Sequence, residues 1–158
     1  MLTLLSPAFA DHTPIPSLYT CDGENTNPAL GWSGHPAHTA SFALIVDDPD
    51  APDPAAPKRT FVHWVLYDLP PSAIDIPEGG VLPDGTREGR NDAGGVGYTG
   101  PCPPIGRHRY FFKLYALDVT VGDLGAPTKA DLERAIAGHV LEQAQLVGTY
   151  ARDGAKRP

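Results

Sequence analysis

The sequence predicts a mainly β protein with one or two short helices near its C-terminus, on three observations. Glycine and proline, 17 and 18 of 158 residues, make up more than a fifth of the chain without a collagen-like period, as many turns between short strands require. Short apolar or alternating runs, several rich in β-branched and aromatic residues, are bounded by turn sequences. Only one stretch, beginning at Thr128, has a clear helix-start signature. The length predicts one domain over 1–158, and 41% hydrophobic residues suffice for a single core.

The first strand is read at 40–46, ASFALIV, a buried run stopped by the turn sequence Asp47-Asp-Pro-Asp50. At 60–69, TFVHWVLYDL, both faces are largely apolar, which marks a central strand. Regular alternation there places Phe61, His63, Val65 and Tyr67 on one face and Val62, Trp64 and Leu66 on the other. A third strand at 107–117 sets His108, Tyr110, Phe112 and Leu114 opposite a mixed face of Arg107, Arg109, Phe111, Lys113 and Tyr115. The helix opens at the capping box Thr128-Lys-Ala-Asp131, carries Leu132, Ala135 and Ile136 on one face, and ends or bends at Gly138. A fourth strand follows at 145–151. Between the second and third strands lies 70–104, rich in Gly, Pro, Asp and Asn and too long for a tight hairpin; loops of that length are functional or disordered. Trp32 and Trp64 read as core, and the basic end at 151–158 as frayed.

Charge narrows the partners. Twelve Lys and Arg against 19 Asp and Glu give a formal charge of −7, which argues against nucleic acid. No apolar run approaches the ~18–20 residues that a bilayer-spanning helix needs. The opening MLTLLSPAFAD imitates a signal-peptidase site at Ala8-Phe9-Ala10 but lacks a basic leader region, so no cleaved leader is expected and the chain is placed in the cytoplasm. Two cysteines in a cytoplasmic chain read by default as free thiols; Cys21 and Cys102 both lie in loops, and sequence alone does not say whether they bridge.

The chemistry-bearing residues gather near strand ends. Gly100-Pro-Cys-Pro-Pro-Ile-Gly-Arg-His-Arg-Tyr110 packs three prolines before a histidine, and proline holds a loop in one shape because its backbone angle is fixed. Asp48-Pro-Asp-Ala-Pro52 leaves the first strand, His63 lies in the second, and His108 and Tyr110 begin the third, so carboxylates and imidazoles converge on one pocket if these strands are neighbours. Singly, each has a structural explanation: a turn, two core histidines and a half-buried tyrosine. Two histidines and two carboxylates also fit a metal-dependent hydrolase, which stays open as an alternative. The sequence has no Gly-x-Ser-x-Gly elbow, His-Glu-x-x-His motif or Cys-x-x-Cys pair, and no catalytic residue, metal or cofactor is assigned. His12, His35, His38 and His139 have no partners at ligand spacing and read as surface residues.

In combination, these segments resemble the phosphatidylethanolamine-binding protein family, in particular its bacterial and archaeal branch. The resemblance rests on Asp48-Pro-Asp-x-Pro52, His63, Gly100-Pro-Cys-Pro-Pro104 and Gly106-x-His-Arg-Tyr110, in that order. It extends through Ser6-Pro-Ala-Phe9, Thr20-Cys-Asp-Gly-Glu-Asn25, Pro28-Ala-Leu-Gly-Trp32, Asn91-Asp92, Gly97-Tyr98 and Leu146-Val-Gly-Thr-Tyr150. It implies an antiparallel β-sandwich or barrel-like fold with a pocket for a small anion or phospholipid head group. Asp48, Asp50, Pro52, His63, Gly100, Cys102, Pro103, Pro104, His108 and Tyr110 would line that pocket, with Phe61 in place of a tryptophan of animal members. Because two aspartates repel an anion, they are expected to act on the histidines or on ligand protons; in the former case imidazolium, the Tyr110 hydroxyl and loop amides donate to phosphate. The resemblance also implies a protein partner, a kinase or serine protease that is inhibited; a homodimer is left open. Three departures stand out: Ala93 where an aromatic is common, the charged, proline-rich insert 53–59 beside the entrance, and an expected absence of the C-terminal helix of animal members.

Overall fold

The computed structural model describes residues 1–152. Among these residues, nine strands form two open sheets rather than a closed barrel. A three-stranded antiparallel sheet has the order β1 (Thr3–Leu5), β3 (Leu30–Ser33), β6 (Asp75–Ile76). The larger sheet runs β2 (Thr13–Pro14), β9 (Val140–Tyr150), β8 (His108–Leu117), β4 (Ser41–Ala51), β5 (Arg59–Leu69), β7 (Arg87–Glu88). All its pairings are antiparallel except β2 with β9. One helix, α1 (Lys129–Ile136), packs on the outer face, and a 3-10 turn spans Ser17–Tyr19.

Strand alternation builds the core. Phe42, Leu44 and Val46 of β4 and Tyr110, Phe112, Leu114 and Ala116 of β8 point between the sheets, where Leu2, Leu4, Leu30, Trp32 and Ile76 meet them. Each fully buried Leu or Phe contributes roughly 1.5–3 kcal/mol. Ala43, Ile45 and Leu117 face the other way and are covered by Leu132 and Ile136 of α1. The expected capping box is present in both directions, Thr128 Oγ1 accepting from the Asp131 amide and Asp131 Oδ2 from the Thr128 amide, and Gly138 follows the helix at φ +83°.

Three expectations change. The first strand does not stop at Asp47 but continues to Ala51. Its acidic run is tolerated there because Asp47 pairs with Lys113 and Lys129, Asp48 with His108, and Asp50 with Arg109. Pro49, which has no amide to donate, falls in an irregular stretch of the ladder. The faces assigned to β5 also change: Val46 opposes Trp64 while Asp47 opposes Val62, leaving His63 as an extra residue in a β-bulge. Val62 therefore joins Val65 and Tyr67 on the outer face, while Trp64 and Leu66 enter the inter-sheet core. Finally, β9 begins at Val140, because pairing with β8 extends it through a mostly exposed segment that has no sequence signal of its own. Of the expected frayed end at 151–158, residues 153–158 lie outside the described residues.

Candidate functional site

The rows of side chains that fill the core continue past it into a cavity. On β4 the row Leu44, Val46 runs on to Asp48; on β8 the row Phe112, Tyr110 runs on to His108. On β5 the bulge brings Phe61 and His63 to the same end of the sheet. The resulting cavity, about 310 Å³, lies at the lower end of the range for small-ligand pockets. Asp48, Pro52, His63, Gly100, Cys102, Pro103, Pro104, His108 and Tyr110, all expected from the sequence, line it. Phe61 and Ala93 line it too.

Asp50 does not. Its carboxylate turns to Arg109, accepting from Nε at 3.0 Å, Nη2 at 2.8 Å and the backbone amide at 2.9 Å. The Arg109 hydrogen bonds hold its pKa below the usual carboxylate range, against the opposing effect of burial.

His108 also departs from the expected role. Nδ1 lies 2.6 Å from Asp48 Oδ2, and Nε2 lies 3.0 Å from both the Pro52 and Ile105 carbonyl oxygens. Acceptors face both nitrogens, so all three contacts are satisfied when both carry hydrogen, and no N–H remains for a ligand. Asp48 Oδ1 accepts from the Asp50 amide at 2.7 Å, so the carboxylate is occupied on both oxygens. The pair is a buried strut between β4 and β8.

His63 is different. Nδ1 lies 2.7 Å from the Thr99 carbonyl, while the Thr99 amide donates back to the His63 carbonyl. The hydrogen therefore sits on Nδ1, and Nε2, with no partner among the described residues, faces the cavity as an acceptor. Burial pushes this imidazole's pKa down; the Thr99 contact and the carboxylates of Asp48, Asp47 and Asp92 oppose that shift. Tyr110 is 1% exposed, its hydroxyl has no partner among the described residues, and burial, reinforced by Asp48 and Asp50, drives its pKa far above the ordinary phenol value. It remains a hydrogen-bond donor at any ordinary pH.

Arg59 was not singled out by the sequence reading, yet it lines the cavity. Its guanidinium lies 5.0 Å over the Phe61 ring and 3.8 Å from Asp92, a loose pair with the arginine side chain 55% exposed. Residues two apart on a strand share a face, but the sequence reading makes Arg59 the last residue of the insert 53–59, whereas it is the first residue of β5 and stands beside Phe61.

The proline loop is fastened from behind. Cys21 and Cys102 form a disulfide with Cα atoms 5.4 Å apart, which resolves the open question of the thiols. The Cys21 amide donates to the Pro101 carbonyl, the Gly100 amide to Asn25 Oδ1, and the Tyr98 hydroxyl to the Tyr19 carbonyl. A Cβ at Gly100 would sit 2.2 Å from the Tyr19 oxygen and 2.5 Å from Asn25 Oδ1, so only glycine permits this approach. Among the described residues, no three His, Cys, Asp or Glu side chains gather as metal ligands.

Two sheets packed over a common core, with a cavity at the end of the larger one, define a mainly β sandwich, and comparison with known proteins narrows that class. The model of the phosphatidylethanolamine-binding protein family matches residues 5–151, and the chain belongs to this family. It is 48% identical over 155 residues to a UPF0098 protein of Methanothermobacter thermautotrophicus, covering 96% of this chain and 99% of that one. The crystal structure of a putative phosphatidylethanolamine-binding protein homologue from Chlamydia trachomatis superposes with a TM-score of 0.90 at 40% identity, covering 96% and 98% of the two chains. YbcL of E. coli, described as a new member of the mammalian family, gives 0.86 at 30% identity, covering 96% and 99%.

Proposed function

We propose that the cavity binds a small phosphate-bearing ligand, inorganic phosphate or a phosphorylated head group, without chemical turnover. The observation that carries this reading is the convergence on one cavity of the unpartnered Tyr110 hydroxyl, Nε2 of His63 and the half-exposed Arg59 guanidinium. Arg59 supplies charge and a planar set of donors suited to phosphate oxygens. Electrostatic repulsion from the nearby acids is weak, since Asp48 is spent on His108 and the Asp50 amide, and Asp50 on Arg109. Proline walls and the disulfide keep the cavity shaped before the ligand arrives, which lowers the ordering cost of binding. The family's name points to a phospholipid head group, and a ligand of that kind presents the same phosphate oxygens.

The cytoplasmic placement carries a condition, because a disulfide persists only where thiols are not kept reduced. Among the described residues, no helix is long and apolar enough to cross a membrane.

Titration calorimetry with inorganic phosphate tests the reading. Binding is expected, with Arg59→Gln and Tyr110→Phe each weakening it about 5- to 100-fold, the loss of one charge-assisted or buried hydrogen bond. Absence of heat at millimolar phosphate, or wild-type affinity in both variants, would refute it.

A further inference from the structure

We propose that a notch on the outer face of the larger sheet, separate from the cavity, binds a small monocarboxylate with an apolar body between Lys113 and Lys129. Asp47 and Asp48 follow one another on β4 and so face opposite ways: Asp48 lines the cavity and Asp47 the notch. The notch encloses about 190 Å³, bounded by strands β4, β5, β8 and β9 and by the first residue of α1.

The charges at its floor do not balance. Lys113 Nζ lies 3.1 Å, and Lys129 Nζ 2.7 Å, from the same oxygen, Oδ2 of Asp47, whose side chain is 2% exposed. One cation offsets the charge of a buried carboxylate, and this one has two. The lysine side chains are themselves only 23% and 22% exposed. Sharing one oxygen, the two ammonium groups stand well inside the ~8 Å over which salt screens like charges, so their repulsion persists. Asp50 does not relieve it, being held by Arg109. Glu133, one turn along α1 from Lys129, makes no ion pair among the described residues. Lys129 also opens α1, at the end where the helix dipole favours an anion over a cation. Helix stability therefore does not account for a lysine at that position.

The free donors define the ligand class. Each ammonium carries three hydrogens and gives one to Asp47, which leaves two on each nitrogen for a further acceptor. A carboxylate has two accepting oxygens and a single negative charge. Bridging the lysines, it makes two cations and two anions alternate and leaves the notch neutral, whereas a phosphate dianion overshoots. The walls suit an apolar body: the half-buried Phe111 ring and Pro49 stand beside the lysines. At the rim, the Thr60 hydroxyl and the Gln145 side-chain amide have no partner among the described residues and add donors.

The test titrates benzoate into the intact protein at constant ionic strength and follows the backbone amides in proton–nitrogen-15 spectra. Saturable shifts at Phe111, Lys113, Lys129 and Gln145 are expected at on the order of millimolar benzoate, and none with benzamide, an uncharged molecule of the same shape. Lys113→Met and Lys129→Met keep an apolar stem, remove the surplus charge and leave Asp47 one partner, so both variants are expected to fold. Each should weaken binding about tenfold or more, the weight of one charge-assisted hydrogen bond. The inference is overturned if those amides do not respond, if benzamide matches benzoate, or if either folded variant keeps the wild-type affinity. Shifts confined to His63 and Tyr110 would place benzoate in the cavity and equally refute a site in the notch.

Discussion

Asp48 and His108, sixty positions apart in the chain, meet at 2.6 Å with both side chains sealed from solvent. The contact joins β4 to β8 at the floor of the cavity, where the ladder between those strands has already ended at Asp47 and Phe111. Asp48→Ala removes the acceptor for both Nδ1 of His108 and the Asp50 amide. A buried pair broken on one side costs about 3–5 kcal/mol. Urea denaturation should show a loss in that range; a loss below ~1 kcal/mol would mean that water replaces the carboxylate and the strut contributes little.

Asp50 is expected to contribute to the acid limb of stability. Its folded-state pKa is depressed, chiefly by hydrogen bonds from Arg109. The stabilisation is therefore present above the ordinary value of 3.8 and is lost as pH falls through the lower folded value. Because the guanidinium is half-exposed, solvent screening limits the contribution to about 1 kcal/mol. Thermal melts at descending pH should fall less steeply below that ordinary value in Asp50→Asn than in the wild type. Parallel acid limbs would show that other carboxylates set the slope.

These two aspartates also show how far the sequence could be read. Period-two alternation placed His108, Tyr110, Phe112 and Leu114 together, and the structure keeps them so, because β8 is unbroken. The same rule misassigned β5, since a bulge at His63 inserts one residue and nothing in TFVHWVLYDL marks it. Family motifs indicated that Asp48, His63, His108 and Tyr110 meet, but not how their hydrogen bonds divide: His108 is a strut, His63 faces the cavity, and Asp50 belongs to Arg109. Those roles depend on which carbonyls stand beside each ring, and backbone carbonyls have no signature in sequence. The two-residue strands β6 and β7 inside 70–104 were equally hidden, being defined by their neighbours rather than by their own residues.

His63 gives the opposite pH signature to an ion-paired histidine. Burial lowers its folded pKa below the ordinary 6.5, so above that value it costs nothing. As the pH falls below 6.5 the unfolded chain takes up a proton that the folded chain refuses, and stability declines until the folded value is reached. Urea midpoints should drop between pH about 7.5 and about 5.5 in the wild type, and drop less in His63→Gln, which cannot bind that proton. An equal drop in both proteins would assign the slope elsewhere.

The Cys21–Cys102 disulfide spans a sequence separation of 81 and ends in the cavity wall, so its removal should act on both stability and binding. Restricting the unfolded chain over a loop of that size stabilises by about 2–4 kcal/mol. In the folded state, the Gly100 amide still donates to the Asn25 side-chain oxygen and the Cys21 amide to the Pro101 carbonyl, so the wall is loosened rather than lost. A looser wall must be ordered again when ligand binds, and that ordering reduces affinity without removing any donor. The double variant Cys21→Ser, Cys102→Ser should therefore melt at a lower temperature and bind phosphate several-fold more weakly, with reduction of the wild-type protein reproducing both effects. Lower stability with unchanged phosphate affinity would show that the hydrogen bonds alone shape the wall and that the disulfide serves only the fold.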